Sequence, residues 1–579
     1  DVSSNSTLSN SGTLSVGGDL TSSGTLKNEG TGTLAVTGDI TSSGVFTNNG
    51  TTTAGSDFTN TSGGTLTNGG DLTVTGNLSN TGNSSISNSG DIVLNGNLTN
   101  DSGSSIVNSD TISLKGNFTD SGTYTGNGTV IFNGTTQSFT PNASTTYAKI
   151  TSSSSAKLTV QDNANIKTFT HNSGNLEFKK PLTVTTSYTG STNTGTVIFD
   201  DTVTTTCAAT FSNTGLTTFT YSATFGGNVS FAGDVQLSGN LTSSGTISFQ
   251  NLTVTDSVEI SGTQITAASG KVIGTSAATG TKNLTLKASG GTITAGQIGT
   301  STNKFNIVEL DTGSHDIDFT SETIYANQIK FTSSGNVTVT GITYDGDLIF
   351  NTSEKVSING GTGGFNVKNI VLQTIPSSFD LSGNIEITGT GGISFPRAVV
   401  LTGNTSLKTS GTNAPVTFSS GISGAYTLDV NNAGLLTIDD KTSLTDTSNA
   451  DVNITSFTQS GAGAVSIAGD ITCSSSIQFV TTSFALTGNV LLSGNVVALT
   501  SAITLSSLSS YELSVVGKLQ AYNDVTANVN VNALGDVVSN GKWTGSKSLI
   551  FAGSNNQIFN PKTGTSYSSV YIIKTVGTF

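Results

Sequence analysis

The stretch Gly18-Asp19-Leu20-Thr21-Ser22-Ser23-Gly24 is repeated almost unchanged as Gly38-Asp39-Ile40-Thr41-Ser42-Ser43-Gly44. Its apolar position recurs at a nearly constant interval, as Leu20, Ile40, Phe58, Leu78, Leu98 and Phe118. An asparagine keeps a similar interval at Asn10, Asn28, Asn48, Asn68, Asn88 and Asn108. Repetition with a period of about 20 residues is typical of solenoids, because each copy is too small to bury a core by itself.

One copy predicts the path of the chain around a coil. Between Gly64 and Gly82, apolar residues stand at Leu66, at Leu72 and Val74, and at Leu78, with polar residues between them. Such alternation indicates three short strands with one buried face, and we expect Gly and Asn to supply positive φ at the bends. The sequence therefore predicts an all-β, elongated parallel β-helix (a β-solenoid). We expect a right-handed helix with about 20 residues per coil in the N-terminal part.

Stacked coils place equivalent residues above one another, so both series should form columns. We expect the apolar series from Leu20 to Phe118 to fill the core. The asparagine series from Asn10 to Asn108 should form a ladder of side-chain amides hydrogen-bonded from coil to coil. Both are interpreted as structural.

A third column carries charge. Asp19, Asp39 and Asp57 stand one coil apart and are followed at the same interval by Asn77 and Asn97, then by Asn117. Carboxylates so close repel unless they are solvated or bridged by a cation such as calcium. We expect solvation and no cofactor, and calcium at the three aspartates stays the alternative. The Asn-x-Ser/Thr sequons in this series are expected to arise by chance.

The rhythm of the repeat divides the chain into three parts. Residues 1–122 hold the regular repeats, each of about 18 to 20 residues, and residues 123–534 hold less regular coils. The phrase at Phe132, Gln137, Phe139, Pro141 and Tyr147 returns as Phe551, Gln557, Phe559, Pro561 and Tyr567. We therefore expect residues 535–579 to begin a second copy of a long repeat, matching residues 116–147.

The charge composition limits the classes of partner that the chain is expected to bind. The net charge is −14 and Arg397 is the only arginine. Because phosphate backbones and anionic membranes require clustered Lys and Arg, we expect no nucleic acid and no membrane insertion. The apolar alternation argues against disorder despite the many Ser, Thr and Asn residues.

The cysteines and the start of the chain suggest where the protein works. With only Cys207 and Cys473 there is neither a disulfide framework nor a zinc motif, and Cys473 is interpreted as a small residue at a turn. The chain begins at Asp1 and has no Met. We therefore expect a mature secreted protein, or a fragment of one, located outside the cell.

No residue pattern indicates catalysis, and we predict that the protein is not an enzyme. His171 and His315 have no second ligand nearby in sequence and are expected at the surface. Asp316 and Asp318 share a strand face, as a glycosidase would require, but a solvated face explains them equally. The other acidic pairs are Asp200 with Asp201 and Asp439 with Asp440. Threonine rows, which an ice-binding face would need, are expected to fall out of register with the repeat.

The phrase Gly195-Thr196-Val197-Ile198-Phe199, followed by Thr-rich strands through Phe211 and Phe219, resembles bacterial surface β-helix proteins. These are filamentous-haemagglutinin-like adhesins and autotransporter passenger domains. The resemblance implies a cell-surface protein that acts in adhesion, aggregation or biofilm cohesion. Its partners would be itself, end to end or laterally, or glycans or proteins of host or neighbouring cells.

Three functions follow from this sequence. The first is an extracellular structural and adhesive rod that acts by stiffness and weak multivalent contacts. The second is a subunit of a self-assembling filament or surface layer. The third, from another class, is a carbohydrate-degrading β-helix enzyme.

Overall fold

The fold is an all-β solenoid of parallel strands, with about 27 turns roughly 20 residues apart. A computed structural model describes residues 1–268, 271–275, 280–294, 296–320, 323–439, 452–563, 567 and 569–573, and these residues contain no helix. The predicted fold class is confirmed. The chain forms two compact units, Asp1–Asn303 and Lys304–Phe579.

Each of the first seven coils consists of three short strands, one in each of three parallel sheets, A, B and C. Sheet A begins with Val2–Ser4, Leu20–Ser22, Ile40–Ser42, Phe58–Asn60, Leu78–Asn80, Leu98–Asn100, Phe118–Asp120 and Thr136–Thr140. Sheet B contains Thr7–Asn10, Thr25–Asn28, Val45–Asn48, Thr65–Asn68, Ser85–Asn88, Ser105–Asn108 and Thr123–Thr125. Sheet C begins with Thr13–Val16, Thr33–Val36, Thr51–Ala54, Asp71–Val74, Ile92–Leu94, Thr111–Leu114 and Thr129–Phe132.

The rest of the first unit keeps sheet A but merges the other two sides of the coil. Sheet A continues as Lys157–Val160, Asn175–Phe178, Val197–Phe199, Thr217–Phe219, Val235–Leu237, Leu252–Val254, Val272–Thr275 and Gln297–Ile298. Long strands of the merged sheet are Thr146–Ser152, Ala164–His171, Leu182–Gly190, Val258–Ala267 and Asn283–Thr294. Its short strands are Val203–Thr205, Ala209–Phe211, Ala223–Phe225, Val229–Phe231, Leu241–Ser243 and Thr246–Phe249.

The second unit also pairs long and short parallel strands. One sheet contains Ile393–Phe395, Val416–Phe418, Leu436–Ile438, Val465–Ile467, Ser483–Leu486, Ile503–Ser507, Val525–Ala527 and Trp543–Thr544. The long strands outside it are Phe305–Asp311, Ala326–Thr332, Thr343–Asn351, Phe365–Leu372, Phe379–Ile387, Val399–Thr409, Val490–Leu499 and Glu512–Ala521. The short strands are Ile317–Thr320, Thr323–Ile324, Val337–Thr340, Val356–Asn359, Ile422–Ser423, Thr427–Asn431, Val452–Ile454, Ser456–Gln459, Ile471–Cys473, Ser476–Phe479, Asn530–Ala533, Val537–Ser539, Leu549–Phe551, Phe559–Pro561 and Val570–Ile572.

The core of the first coils is built by stacking like on like. In sheet A, Leu20 lies opposite Ile40, which lies opposite Phe58, and the series continues in register through Leu78, then through Leu98 and Phe118. All six side chains are fully buried. Burying a large apolar side chain contributes roughly 1.5–3 kcal/mol, so each coil gains most of its stability from its neighbours.

The glycines of these coils have a different role from the one we expected. Positive φ occurs at a few bends, such as Gly63 and Gly82, but not at Gly50 or Gly70. A Cβ at Gly70 would instead lie 2.2 Å from the carbonyl oxygen of Gly50 in the preceding coil. Backbones pack directly on each other at this corner, so glycine is required by close approach and not by dihedral angle.

Candidate functional site

The first buried amide ladder runs through sheet B, with each asparagine one coil from the next. Each Nδ2 donates to the Oδ1 of the following asparagine. The distances along Asn10, Asn28, Asn48, Asn68, Asn88 and Asn108 are 2.8, 3.0, 2.7, 2.9 and 2.8 Å. Every side chain in the series is buried. The second Nδ2 hydrogen also finds an acceptor; Asn48, for example, donates to the carbonyl oxygen of Asp71 at 2.9 Å.

A second amide ladder in sheet A was missed by the sequence analysis. Asn60 donates to Asn80, Asn80 to Asn100, and Asn100 to Asp120, at 2.9, 2.9 and 2.8 Å. These side chains are also buried. The signal was present, because a polar residue stands at the second place after the apolar position in every copy, and a strand places both on the same face.

The second ladder ends at a buried carboxylate. Asp120 is 2% exposed and accepts hydrogen bonds from Asn100, from the Gly122 N–H at 3.2 Å and from the Tyr147 hydroxyl at 2.5 Å. Burial raises the pKa of Asp120, whereas the hydrogen bonds from Tyr147 and Asn100 act in the opposite direction. A carboxylate has no donor, so Asp120 completes the ladder as an acceptor and passes no hydrogen bond onward.

Two distant glutamines bind the backbone in the same way. The Oε1 of Gln137 accepts the Gly134 N–H at 2.7 Å, and Oε1 of Gln557 accepts the Gly553 N–H at 3.2 Å. Each Nε2 donates to two carbonyl oxygens of the preceding coil: Leu114 and Gly116 for Gln137, and Ala533 and Gly535 for Gln557. The two segments that match in sequence thus share one local structure around their glutamines.

The outer Asp and Asn column binds the backbone of the next coil. Oδ1 of Asp19 accepts the Asp39 N–H at 2.9 Å, and Asp39 accepts the Asp57 N–H at 3.0 Å. The amide oxygens of Asn77 and Asn97 accept in the same manner, at 2.8 and 2.7 Å. Because either side chain supplies the required oxygen, aspartate and asparagine interchange in this column.

The aspartates for which calcium was the alternative have a structural role in this column. One oxygen of each aspartate from Asp19 to Asp57 is used by a backbone N–H. Hydrogen bonds from Ser56 and then from the Asp57 backbone lower the pKa of Asp39. Within the described ranges, no group of three or more His, Cys, Asp or Glu side chains is placed to hold a metal ion.

In the middle of the first unit, the apolar column of sheet A continues mainly as stacked aromatic rings, in register with Phe118. Phe199 lies between Phe178 and Phe219, with ring centroids 5.2 and 4.9 Å apart and nearly parallel planes. A neighbouring column stacks Phe211 on Phe231 at 4.8 Å. Offset-stacked pairs of this kind stabilise by about 0.5–1.5 kcal/mol beyond burial.

The two histidines differ in environment. His315 is exposed, as expected. His171 was expected at the surface, and this was wrong: it ends the strand Ala164–His171 with its side chain inward and only 3% exposed. Burial lowers the pKa of His171 to about 4, and the Gly174 backbone acts in the opposite direction. The neutral ring is the form that fits this core.

Three carboxylates of the acidic pairs predicted from the sequence bind backbone N–H groups or a lysine. Oδ1 of Asp316 accepts the Asn336 N–H at 2.7 Å, the same coil-to-coil bond as in the outer column, and Asp318 is exposed. Asp200 pairs with Lys179 at 2.9 Å. Asp201 accepts the N–H of the next residue at 2.7 Å. Asp439 belongs to the described chain, whereas Asp440 lies outside it.

Outward hydroxyl side chains form one column in sheet A: Thr21, Thr41, Thr59, Ser79, Thr99 and Thr119. The column is a single side chain wide because these strands contain three residues, so it is not a row of the Thr-x-Thr type.

One further expectation needs correction. Cys473 ends the strand Ile471–Cys473 with its side chain inward and is not at a turn. Both cysteines are free thiols.

No family model, no curated protein and no solved structure matches the chain. None of the residues that the structure describes forms a helix long and apolar enough to cross a membrane. The chain is thus assigned to the parallel β-solenoids by its own geometry.

Proposed function

We propose that this chain is part of an extracellular structural and adhesive protein of a bacterial cell surface, acting by stiffness and weak multivalent contacts. The observation that carries the proposal is the pair of buried amide ladders, which tie successive coils together by side chains in addition to the backbone. An interior built from stacked, hydrogen-bonded columns suits a protein whose function depends on its stiffness.

Stiffness follows from how a load would be shared. Pulling one coil from the next breaks a set of parallel backbone hydrogen bonds, a column of apolar contacts and a buried amide bond together. A buried amide that loses its partner costs about 1–3 kcal/mol. The ladders therefore resist both separation of coils and slippage of their register.

Adhesion would use the outer surface. Outward Thr and Ser side chains recur coil after coil in sheet A, and only 10% of the residues are charged. Single hydroxyl contacts are weak, but many of them on one stiff body bind cooperatively through high effective concentration. The resemblance to filamentous-haemagglutinin-like adhesins and autotransporter passenger domains supports the same proposal.

Single-molecule pulling tests the mechanical part. The double variant Asn80→Leu with Asn100→Leu removes two amides of the second ladder, and Ser79→Ala with Thr99→Ala changes the outward neighbours on the same strands. We expect the inner pair to lower the unfolding force of these coils and the outer pair to leave it unchanged. Equal forces for all three chains would contradict the proposal.

Adhesion and catalysis are tested separately. Beads coated with the full chain should resist detachment by shear from bacterial or epithelial cell layers, more than beads coated with albumin. Incubation with polysaccharides should release no new reducing ends. Reducing ends that disappear in the variant Asp316→Asn with Asp318→Asn would instead favour the carbohydrate-degrading enzyme.

A further inference from the structure

A polar groove crosses four consecutive long strands of the second unit. These strands are Thr343–Asn351, Phe365–Leu372, Phe379–Ile387 and Val399–Thr409. The groove has a volume of about 470 Å³ and is bordered on one side by the glycine-rich loop at residues 360–364. Its size suits one to three linked rings of a small ligand.

Parallel pairing sets the chemistry along the groove. Thr343 lies opposite Asn366, Asn366 opposite Glu386, and Glu386 opposite Lys408, so four different polar groups stand in one column. A second column places Asn384 opposite Ser406. Neighbouring strands are about 4.8 Å apart, so these polar groups can contact hydroxyls at different positions of one sugar ring.

The charged pair in the groove is neutral overall and remains accessible. Lys408 Nζ lies 2.8 Å from Glu386 Oε1, and the two side chains are 46% and 30% exposed. The hydrogen bond from Lys408 lowers the pKa of Glu386. At neutral pH the groove therefore presents the two oxygens of one carboxylate, as acceptors, beside an ammonium donor. This combination can bind vicinal hydroxyls in pairs.

The glycine loop leaves the entrance open. Gly361 and Gly364 adopt positive φ, which bends the loop beside the groove. Gly363 lines the groove, and a Cβ at this position would meet no atom within 4 Å. A side chain introduced here would project into free space without disturbing the coil, so the groove can be blocked while the fold is kept.

We propose that this groove binds a neutral glycan through hydroxyl hydrogen bonds to Asn366, Glu386, Lys408 and Asn384. A polyanion is disfavoured because the local charges cancel and the chain carries a net charge of −14. A lipid or apolar peptide is disfavoured because the one aromatic residue among the lining side chains, Phe365, is 1% exposed. The groove deepens the adhesive part of the proposed function, on which its biological role rests.

Calorimetry and saturation-transfer NMR on the full chain test the groove, with cellotriose, mannotriose and galactotriose as probes. At least one of these trisaccharides should bind, and Gly363→Trp should weaken its binding at least tenfold. The matched control is Gly12→Trp, because a Cβ at Gly12 also meets no atom within 4 Å. It should bind as the parent chain does. Lys408→Met should weaken binding while circular dichroism stays unchanged.

Three outcomes would overturn the inference: no binding of any probe, equal binding by Gly363→Trp and the parent chain, or tighter binding of a sulfated trisaccharide. The result is separable from the proposed function. If no sugar binds but the ladder substitutions lower the unfolding force as expected, only the glycan-binding proposal is contradicted. If a sugar binds but the ladder substitutions do not change the unfolding force, only the mechanical proposal is contradicted.

Discussion

The first seven coils and the coils from Ala164 to Phe231 have the same parallel backbone but different interiors. In the ladder coils, at residues 1–120, buried apolar columns in all three sheets run beside two columns of hydrogen-bonded amides. In the aromatic coils, at residues 164–231, stacked rings occupy the apolar columns themselves. Stacking of like on like stabilises both, but the amide hydrogen bonds of the ladder coils depend on direction more strongly than the ring contacts of the aromatic coils.

The difference shows how register is set. An amide in the core must meet an amide one coil away, because a shifted partner leaves a buried donor and acceptor unpaired. A phenyl ring tolerates Leu, Ile or Val above it, since dispersion and burial depend little on angle. The ladder coils accordingly keep an almost constant repeat length, whereas the aromatic coils vary more freely.

The largest effect is expected from opening the aromatic stack. Phe199→Ala should cost about 3–5 kcal/mol of local stability, because the cavity separates Phe178 from Phe219. Hydrogen exchange of the three strands that carry these rings measures the loss. Phe199→Leu is the control and should cost less than half as much. A loss below about 1 kcal/mol for the alanine variant would mean that the stack contributes little.

Breaking the first ladder should lower the local stability somewhat less than Phe199→Ala, but it should affect the coils on both sides of the substitution. Asn68→Leu keeps the branched shape of the side chain but leaves the Nδ2 of Asn48 without its ladder acceptor and the Oδ1 of Asn88 without its donor. We expect a loss of about 2–4 kcal/mol, since each orphaned buried group costs about 1–3 kcal/mol. Faster exchange should reach the coils on both sides. Thr67→Ala, on the outer face, should leave exchange unchanged, and equal protection in the two variants would contradict the ladder's role.

Acid should affect the aromatic coils through His171. Its pKa is about 4 in the fold and about 6.5 when unfolded, so the unfolded chain binds more protons between these values. The contribution of neutral His171 to the free energy of unfolding is therefore fully present above pH 6.5. It falls by about 3 kcal/mol as the pH approaches 4. His171→Phe should abolish this slope in pH-dependent denaturation, whereas His315→Phe, at an exposed position, should keep it. A slope unchanged in His171→Phe would assign it to other groups.

The smallest effect concerns the glycine corners of the ladder coils. Gly70→Ala brings a Cβ to 2.2 Å from the Gly50 carbonyl oxygen, and the coils must separate locally. We expect a cost of about 1–3 kcal/mol, typical of overpacking. Gly12→Ala has open space and should be neutral within about 0.5 kcal/mol. Equal stabilities by chemical denaturation would show that the corner relaxes freely.

Much of the ladder coils could be predicted from the sequence. A short, regular period with alternating apolar positions leaves one arrangement in which every strand buries its apolar face, so the column from Leu20 to Phe118 follows. The asparagine column follows from the same period. The second ladder was missed because Ser22 and Ser42 occupy its first places, and the asparagines begin only at Asn60.

Other features depend on contacts that no local pattern encodes. His171 resembles a surface residue in sequence, yet the long strand that carries it turns the side chain inward. The groove beside Glu386 combines residues from four coils whose spacing is irregular, so their alignment could not be read along the chain.

The sequence by itself determined the repeat, the parallel coil and the columns of like residues, because a strict period forces equivalent positions to meet. The tertiary structure decided where each polar group finds its partner. It turned the outer aspartates into acceptors for backbone N–H groups, ended one ladder at Asp120, and assigned the glycine corner to close approach. These outcomes depend on distances between coils, which a linear pattern does not contain.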